Sequence, residues 1–352
     1  MNGIQNMIQL THGNLLTADV EALVNTVNCV GYMGKGIALQ FKKAFPANND
    51  AYRAACAKGD VQIGRMFVHA TGSALNPKFI INFPTKRHWR DLSRLEGIEA
   101  GLTALVAEVQ RLGISSIAIP PLGCGLGGLD WDDVRPRIET AFAPLPQVRV
   151  LLYVPAGAPA ADAMPIGTAQ PRLTIARALL IKLMAQYSAL DYRLSLLEIQ
   201  KLAYFLQEVG EPMRLGYRKG PYGPYAHNLN KVLEVLEGHY IRGYGDNQKP
   251  DVSLELLPDA VAQADALLQD EATQARLERL SKLIEGFETP YGMELLSSVH
   301  WLAVHDEPRV NDAEAALAEL QRWNPRKRKV FRLEHVRVAW QRLLANDMIP
   351  AA

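Results

Sequence analysis

The 352-residue chain has only three cysteines, Cys29, Cys56 and Cys124. So small and odd a number excludes a disulfide scaffold and fits a reducing, cytoplasmic setting. Cysteine–histidine spacing of the zinc-site kind is absent, so neither a metal nor another cofactor is expected. No apolar run reaches about 18 residues, which excludes a transmembrane helix. Met1–Asn6 is not a basic start leading into an apolar run, so no signal peptide is expected. A charge of one sign is also missing: 38 Lys plus Arg stand against 37 Asp plus Glu, a net charge of +1. That balance excludes a uniformly basic nucleic-acid coat and a strongly acidic chain. The P-loop pattern G-x-x-x-x-G-K-[ST] does not occur, nor does the strict dinucleotide fingerprint with its following acidic residue.

What is present is a composition of 48% hydrophobic and 21% charged residues, enough for a core and a soluble surface. The length implies about two domains. From Ile8 to about Val154 short β-branched runs alternate with helical periodicity. Residues 21–28, 78–85, 115–123 and 148–155 read as strands. Between Leu92 and Leu112, Leu95, Ile98, Leu102, Leu105, Val106 and Val109 recur at three and four, one face of a helix. This predicts an α/β domain over residues 1–155, with a largely parallel sheet between helices. Residues 156–171 are small, proline-containing and almost uncharged, as in a linker. From Arg172 to the end the strand signal fades, and residues 174–187, 194–210, 228–240 and 260–287 read as helices. A mainly α second domain over residues 172–352 follows.

The near-zero net charge hides blocks. Residues 1–155 carry +3 and residues 156–352 carry −2. Within the latter, residues 250–320 hold 4 basic against 15 acidic residues, while residues 322–342 hold 8 basic against 1 acidic. Such runs are either solvated helix faces or surfaces for a partner of opposite charge.

Two glycine-rich loops each follow a strand and precede a helix. The first contains Gly31, Gly34 and Gly36 before Ile37; the second contains Gly123, Gly125, Gly127 and Gly128 before Leu129. Glycines let backbone approach an anion, and a helix N-terminus supplies N–H groups to it. As a pair at C-terminal strand ends, they favour a ligand carrying a diphosphate. Lys86, Arg87, His88, Trp89 and Arg90 form a basic, aromatic cluster just past another strand, suited to phosphates and stacked bases of single-stranded DNA or simply to solvent.

The segments GYMGKGIALQF and IPPLGCGLGGLDW, with ALVNTVN and NFPTKRHWR, resemble the macrodomain family over residues 7–155. Within it they are most similar to the DNA ADP-ribosyl glycohydrolase antitoxins of DarT–DarG systems, whose toxin links ADP-ribose to thymidine in single-stranded DNA. The resemblance implies that Lys86 is the catalytic lysine. It implies that Asn28 bonds the distal ribose and that Gly34, Lys35, Gly36 and Ile37 form the first phosphate turn. Gly123, Cys124, Gly125, Leu126 and Gly127 would hold the diphosphate from the other side, and Asn14 with Leu15 would lie at the adenine end. Arg87, His88, Trp89 and Arg90 would face DNA. Relatives acting on proteins carry an Asp where Gly127 stands, so an acid–base partner must come from elsewhere, with Asp130 or the leaving thymine as candidates. Cys29 and Cys124 read as small packing residues.

The second half is similar to a toxin-neutralising antitoxin domain. Its repeated Gly-Pro-Tyr, residues 220–225, predicts turns that expose Tyr222 and Tyr225. The partners implied are a DarT-like DNA ADP-ribosyltransferase toxin, ADP-ribosylated single-stranded DNA, and ADP-ribose as product. An ADP-ribose reader and a protein ADP-ribosyl glycohydrolase are the competing expectations.

Overall fold

The computed structural model describes residues 7–155, 164–188, 194–245 and 253–350. They form two compact units, the first running to Ala169 and also including Gly245, the second comprising the other described residues from Gln170 onward.

The first unit contains β1 (Ile8–Thr11), β2 (Ala22–Val27), α1 (Gly36–Ala44), α2 (Pro46–Ala57), β3 (Phe67–Ala70), β4 (Phe79–Pro84), α3 (Leu95–Leu112), β5 (Ser116–Ile119), α4 (Trp131–Phe142) and β6 (Arg149–Tyr153). The sheet order is β1-β6-β5-β2-β4-β3. Every pairing is parallel except β3 with β4, so the sheet is mixed and largely parallel. Side chains alternate across it, as the period of a strand requires. Ala22, Val24, Ile81, Phe83, Ile117 and Ile119 pack on one face with Ile98, Leu102 and Leu105 of α3 and Val134 and Ile138 of α4. Leu23, Ile80 and Ala118 pack on the other with Leu15, Leu16 and Phe41.

This topology positions the site. β5, β2 and β4 are parallel neighbours, so their C-terminal ends deliver three loops to one edge. Their opposite ends are stapled by Glu21. Its Oε1 accepts from Lys78 Nζ at 2.8 Å, and its Oε2 accepts from Ser115 N at 2.7 Å and Ser115 Oγ at 2.8 Å. Those bonds pull the Glu21 carboxyl down to about 2.

Of the linker, residues 156–163 lie outside the described residues. The second unit begins with α5 (Ile175–Ser188) and α6 (Leu196–Glu208), followed by a hairpin of β7 (Tyr217–Gly220) and β8 (Gly223–Ala226). Then come α7 (Leu229–Leu236), the two-residue strands β9 (Ile241–Arg242) and β10 (Glu255–Leu256), α8 (Ala260–Leu267), α9 (Glu271–Ile284), α10 (Pro290–Val304), α11 (Ala313–Trp323), α12 (Pro325–Val330) and α13 (Leu333–Ala345). It is mainly helical, with two corrections to the sequence reading. The Gly-Pro-Tyr repeat is a β-hairpin rather than turns alone. Residues 260–287 are two helices, broken where Asp270 caps α9 by accepting from Thr273 N at 2.9 Å.

Candidate active site

Lys86 lies two residues beyond β4 and ties the three loops together. Its Nζ donates to the Leu126 carbonyl at 2.8 Å and to the Asp91 carbonyl at 3.2 Å. Its own carbonyl accepts from Cys29 Sγ, and the Arg87 carbonyl accepts from Cys29 N at 3.0 Å. The lysine loop is thus bonded to both glycine loops. Burial holds the Lys86 ammonium below its ordinary pKa, with the Asp91 charge opposing the shift. An amine that donates to two carbonyls and is partly desolvated keeps one lone pair for chemistry when neutral.

The first loop is organised by Asn28. Its Nδ2 donates to the Tyr32 carbonyl at 2.6 Å, and its Oδ1 accepts from Val30 N at 3.0 Å. Tyr52 Oη donates to the Asn28 carbonyl at 2.7 Å. The amide expected to meet a ribose is therefore engaged within its own loop. Gly36 opens α1 with φ of +60°, a conformation that favours glycine. Lys35 precedes it as N-cap without a capping side-chain bond. The ring of Tyr32 lies where a Cβ on Gly34 would project. Ile37, next in α1, is partly buried against the Phe41 core.

The second loop is a tight turn. Leu129 N donates to the Gly123 carbonyl at 3.1 Å and Gly128 N to the Gly125 carbonyl at 3.1 Å. A Cβ on Gly127 would sit 2.3 Å from the Gly123 carbonyl oxygen, so this position admits no side chain in the present turn. Gly125, in contrast, faces open space. Asp130 caps α4 by accepting from Asp132 N at 2.9 Å. Burial keeps the thiols protonated: Cys29 is raised, and Cys124 is pushed up to about 11. Neither resembles an activated nucleophile.

Asn14 caps a short 3-10 turn, its Oδ1 accepting from Leu16 N at 3.0 Å, while its Nδ2 donates to Met164 Sδ. Leu15 is buried in the core beside Leu23 and Phe41. Trp89 stands next to Lys86's loop with the Arg90 guanidinium 4.5 Å from its ring centre. The His88 and Tyr32 rings lie at 5.0 and 6.0 Å. Arg87 and Arg90 are exposed.

Sequence reasoning missed the support beneath this edge. Asn25 and Asn82 are directly paired across β2 and β4, and Asn25 Nδ2 donates to Asn82 Oδ1 at 3.0 Å. Asn82 Nδ2 in turn donates to Asn48 Oδ1 at 2.7 Å. All three are fully buried. An asparagine inside each of two apolar strands was the available signal.

A Macro domain profile matches residues 24–138. A DNA ADP-ribosyl glycohydrolase of Thermus aquaticus is 50% identical over 346 residues, 97% of this chain and 94% of that protein. The chain belongs to the DNA ADP-ribosyl glycohydrolase family. The solved macrodomain of Mycobacterium tuberculosis DarG is 56% identical over 42% of this chain and 98% of that one, with a TM-score of 0.42. A Thermosipho africanus protein named as a DNA ADP-ribosyl transferase–DNA ADP-ribosyl glycohydrolase fusion is 34% identical over 42% of each chain.

In this family member some of the second unit's charges answer one another. Glu294 accepts from Arg326 and Lys327, each at 2.7 Å, while Glu314 pairs with Arg337 and Glu319 with Arg322. The acidic and basic blocks of the sequence are partly the two sides of these pairs. Asp251, at the head of the acidic block, lies outside the described residues. Tyr222 and Tyr225 are exposed on the hairpin, as expected. The fold also gathers Glu208, His300 and His305, whose ligand-type atoms lie within 4.8 Å of one another. Their facing nitrogens already have partners: Tyr204 Oη meets His300 Nδ1 at 2.7 Å, and Glu208 meets His305 Nε2 at 2.9 Å.

Proposed function

We propose that residues 1–155 hydrolyse the bond between ADP-ribose and thymidine in single-stranded DNA, and that residues 172–352 hold a DarT-like toxin. The observation that carries the first half is Lys86, desolvated and bonded to the second glycine loop at the C-terminal edge of the sheet. The diphosphate lies between the turn at Gly34–Ile37 and the turn at Gly123–Gly127, with the distal ribose toward Lys86. Neutral Lys86 Nζ attacks the anomeric carbon as thymine departs, and water then releases ADP-ribose. The turn leaves no room for an acid at position 127, and Asp130 is committed to its helix, so neither of these positions supplies a carboxylic acid to the departing thymine. Trp89, flanked by Arg87 and Arg90, is suited to stack a base near the modified nucleotide while the guanidiniums meet phosphates.

The experiment measures ADP-ribose release from thymidine-modified single-stranded DNA and from Glu- and Ser-linked protein. Release from DNA alone is expected. Release from protein alone, or binding of ADP-ribose with no release, would overturn the substrate assignment.

For the toxin, the fusion of transferase and glycohydrolase in one relative supports the pairing. Glu271, Glu278, Glu285 and Glu288 have no ion-pair partner among the described residues. They are therefore the acids of the block best placed to imitate DNA phosphates toward a DNA-binding toxin. Changing all four to Gln should weaken toxin inhibition by the full chain; undiminished inhibition would remove the mimicry.

A further inference from the structure

Ser93 sits seven residues beyond Lys86, just before α3, and is 6% exposed. Its backbone N–H donates to the Gly127 carbonyl at 2.9 Å, so it is fastened to the second glycine turn. Its side chain points the same way. A Cβ on Gly127 would meet Ser93 Oγ at 2.3 Å, and one on Gly123 would meet it at 3.2 Å. Yet Ser93 Oγ has no hydrogen-bond partner among the described residues. The sequence Ser-Arg-Leu-Glu from Ser93 to Glu96 has the spacing of a capping box, which would use the hydroxyl at the helix start. The helix instead begins after Arg94, which makes no side-chain cap. The hydroxyl is thus directed away from its ready partner and toward the loop that Lys86 also grips.

A buried hydroxyl without a partner is costly, and native structures rarely keep one without a use. We propose that Ser93 is a substrate-binding residue, its Oγ donating to an oxygen of the diphosphate or distal ribose of ADP-ribose at the Gly123–Gly127 turn. This rests on the reading of that turn as the ADP-ribose site.

The test is ADP-ribose affinity by calorimetry and melting temperature for the full chain, wild type against Ser93→Ala, with Lys86→Ala alongside. Ser93→Ala should weaken ADP-ribose by about tenfold or more, the usual loss for a hydrogen bond to a charged group. Its melting temperature should hold or rise, because an unsatisfied group has been removed. Unchanged affinity would overturn the proposal. So would weakened affinity with a melting temperature several degrees lower, which is the result of a merely structural hydroxyl. Wild type failing to bind ADP-ribose would overturn both this inference and the site reading. Lys86→Ala retaining turnover would overturn the catalytic reading alone, because affinity for ADP-ribose reads Ser93 separately.

Discussion

In the first unit Asn25, Asn28, Asn48, Asn82 and Ser93 are buried beneath the loops of one sheet edge. Among the described residues Asn25 Oδ1 and Ser93 Oγ lack a hydrogen-bond partner, as do Asn230 Oδ1 and Trp301 Nε1 in the second unit. In the second, the buried Glu294 carboxylate is matched, while burial and the neighbouring Lys327 push the buried Lys201 amine down to about 7. Glu294 holds Lys327 and Arg326, and Lys201 donates to the Pro224 carbonyl of the hairpin at 2.7 Å. Gln200 bonds both the N–H and the carbonyl of Ala226. Polarity that is matched specifies architecture; polarity left open, beside an amine whose charge is disfavoured, is available to a ligand. The contrast also explains the charge pattern. The mildly basic half carries the candidate chemistry. The half with the extreme blocks spends part of its charge on itself.

Four substitutions test that contrast, in descending order of effect. Lys86→Ala should lower single-turnover release of ADP-ribose by roughly a thousandfold or more, the scale of losing a nucleophile or its proton transfer. Binding of ADP-ribose should change little, because the turns hold the diphosphate. Glu294→Ala strands Lys327 and Arg326, so the second unit should lose about 3–5 kcal/mol, read by denaturant melting, with turnover nearly intact. Gly127→Ala forces a Cβ against the Gly123 carbonyl and should weaken ADP-ribose by about tenfold or more, whereas Gly125→Ala, facing open space, should bind as wild type.

Glu21→Gln should cost about 1–2 kcal/mol at neutral pH, since charged hydrogen bonds at a partly exposed site are involved. Because its folded carboxyl titrates at about 2 against an ordinary 4.5, that stability is complete above about 4.5 and fades as pH falls toward 2. Melting curves of wild type and Glu21→Gln should therefore converge in acid. A constant gap across that window would break the assignment.

Much of the first unit was legible in the sequence. The spans read for β2, β4, β5, β6 and α3 match the structure to within a few residues, because parallel strands buried on both faces are short β-branched runs. β3 was not, being four partly exposed residues at a sheet edge. The β7–β8 hairpin was missed because what secures it is distant: Lys201 and Gln200 on α6, and Gly223, whose φ of +93° needs glycine. For the site, the glycine loops and Lys86 carried composition and motif signals. Ser93 and the Asn25–Asn82–Asn48 ladder carried none beyond polar residues in apolar surroundings, since strand register and loop closure create their neighbours. Asn28 and Asn14 were legible as positions, but their present bonds to Tyr32, Val30 and Leu16 come from local turn geometry.

The most direct test of Lys86 as the reacting group is to quench a single turnover on ADP-ribosylated single-stranded DNA with borohydride and weigh the protein. Attack by Nζ on the anomeric carbon, followed by ring opening, leaves an imine that borohydride reduces to a stable amine. The account predicts one ADP-ribosyl unit added to the chain and mapped to Lys86, and none on Lys86→Ala. An adduct on another residue, or full release of ADP-ribose by Lys86→Ala, would contradict it.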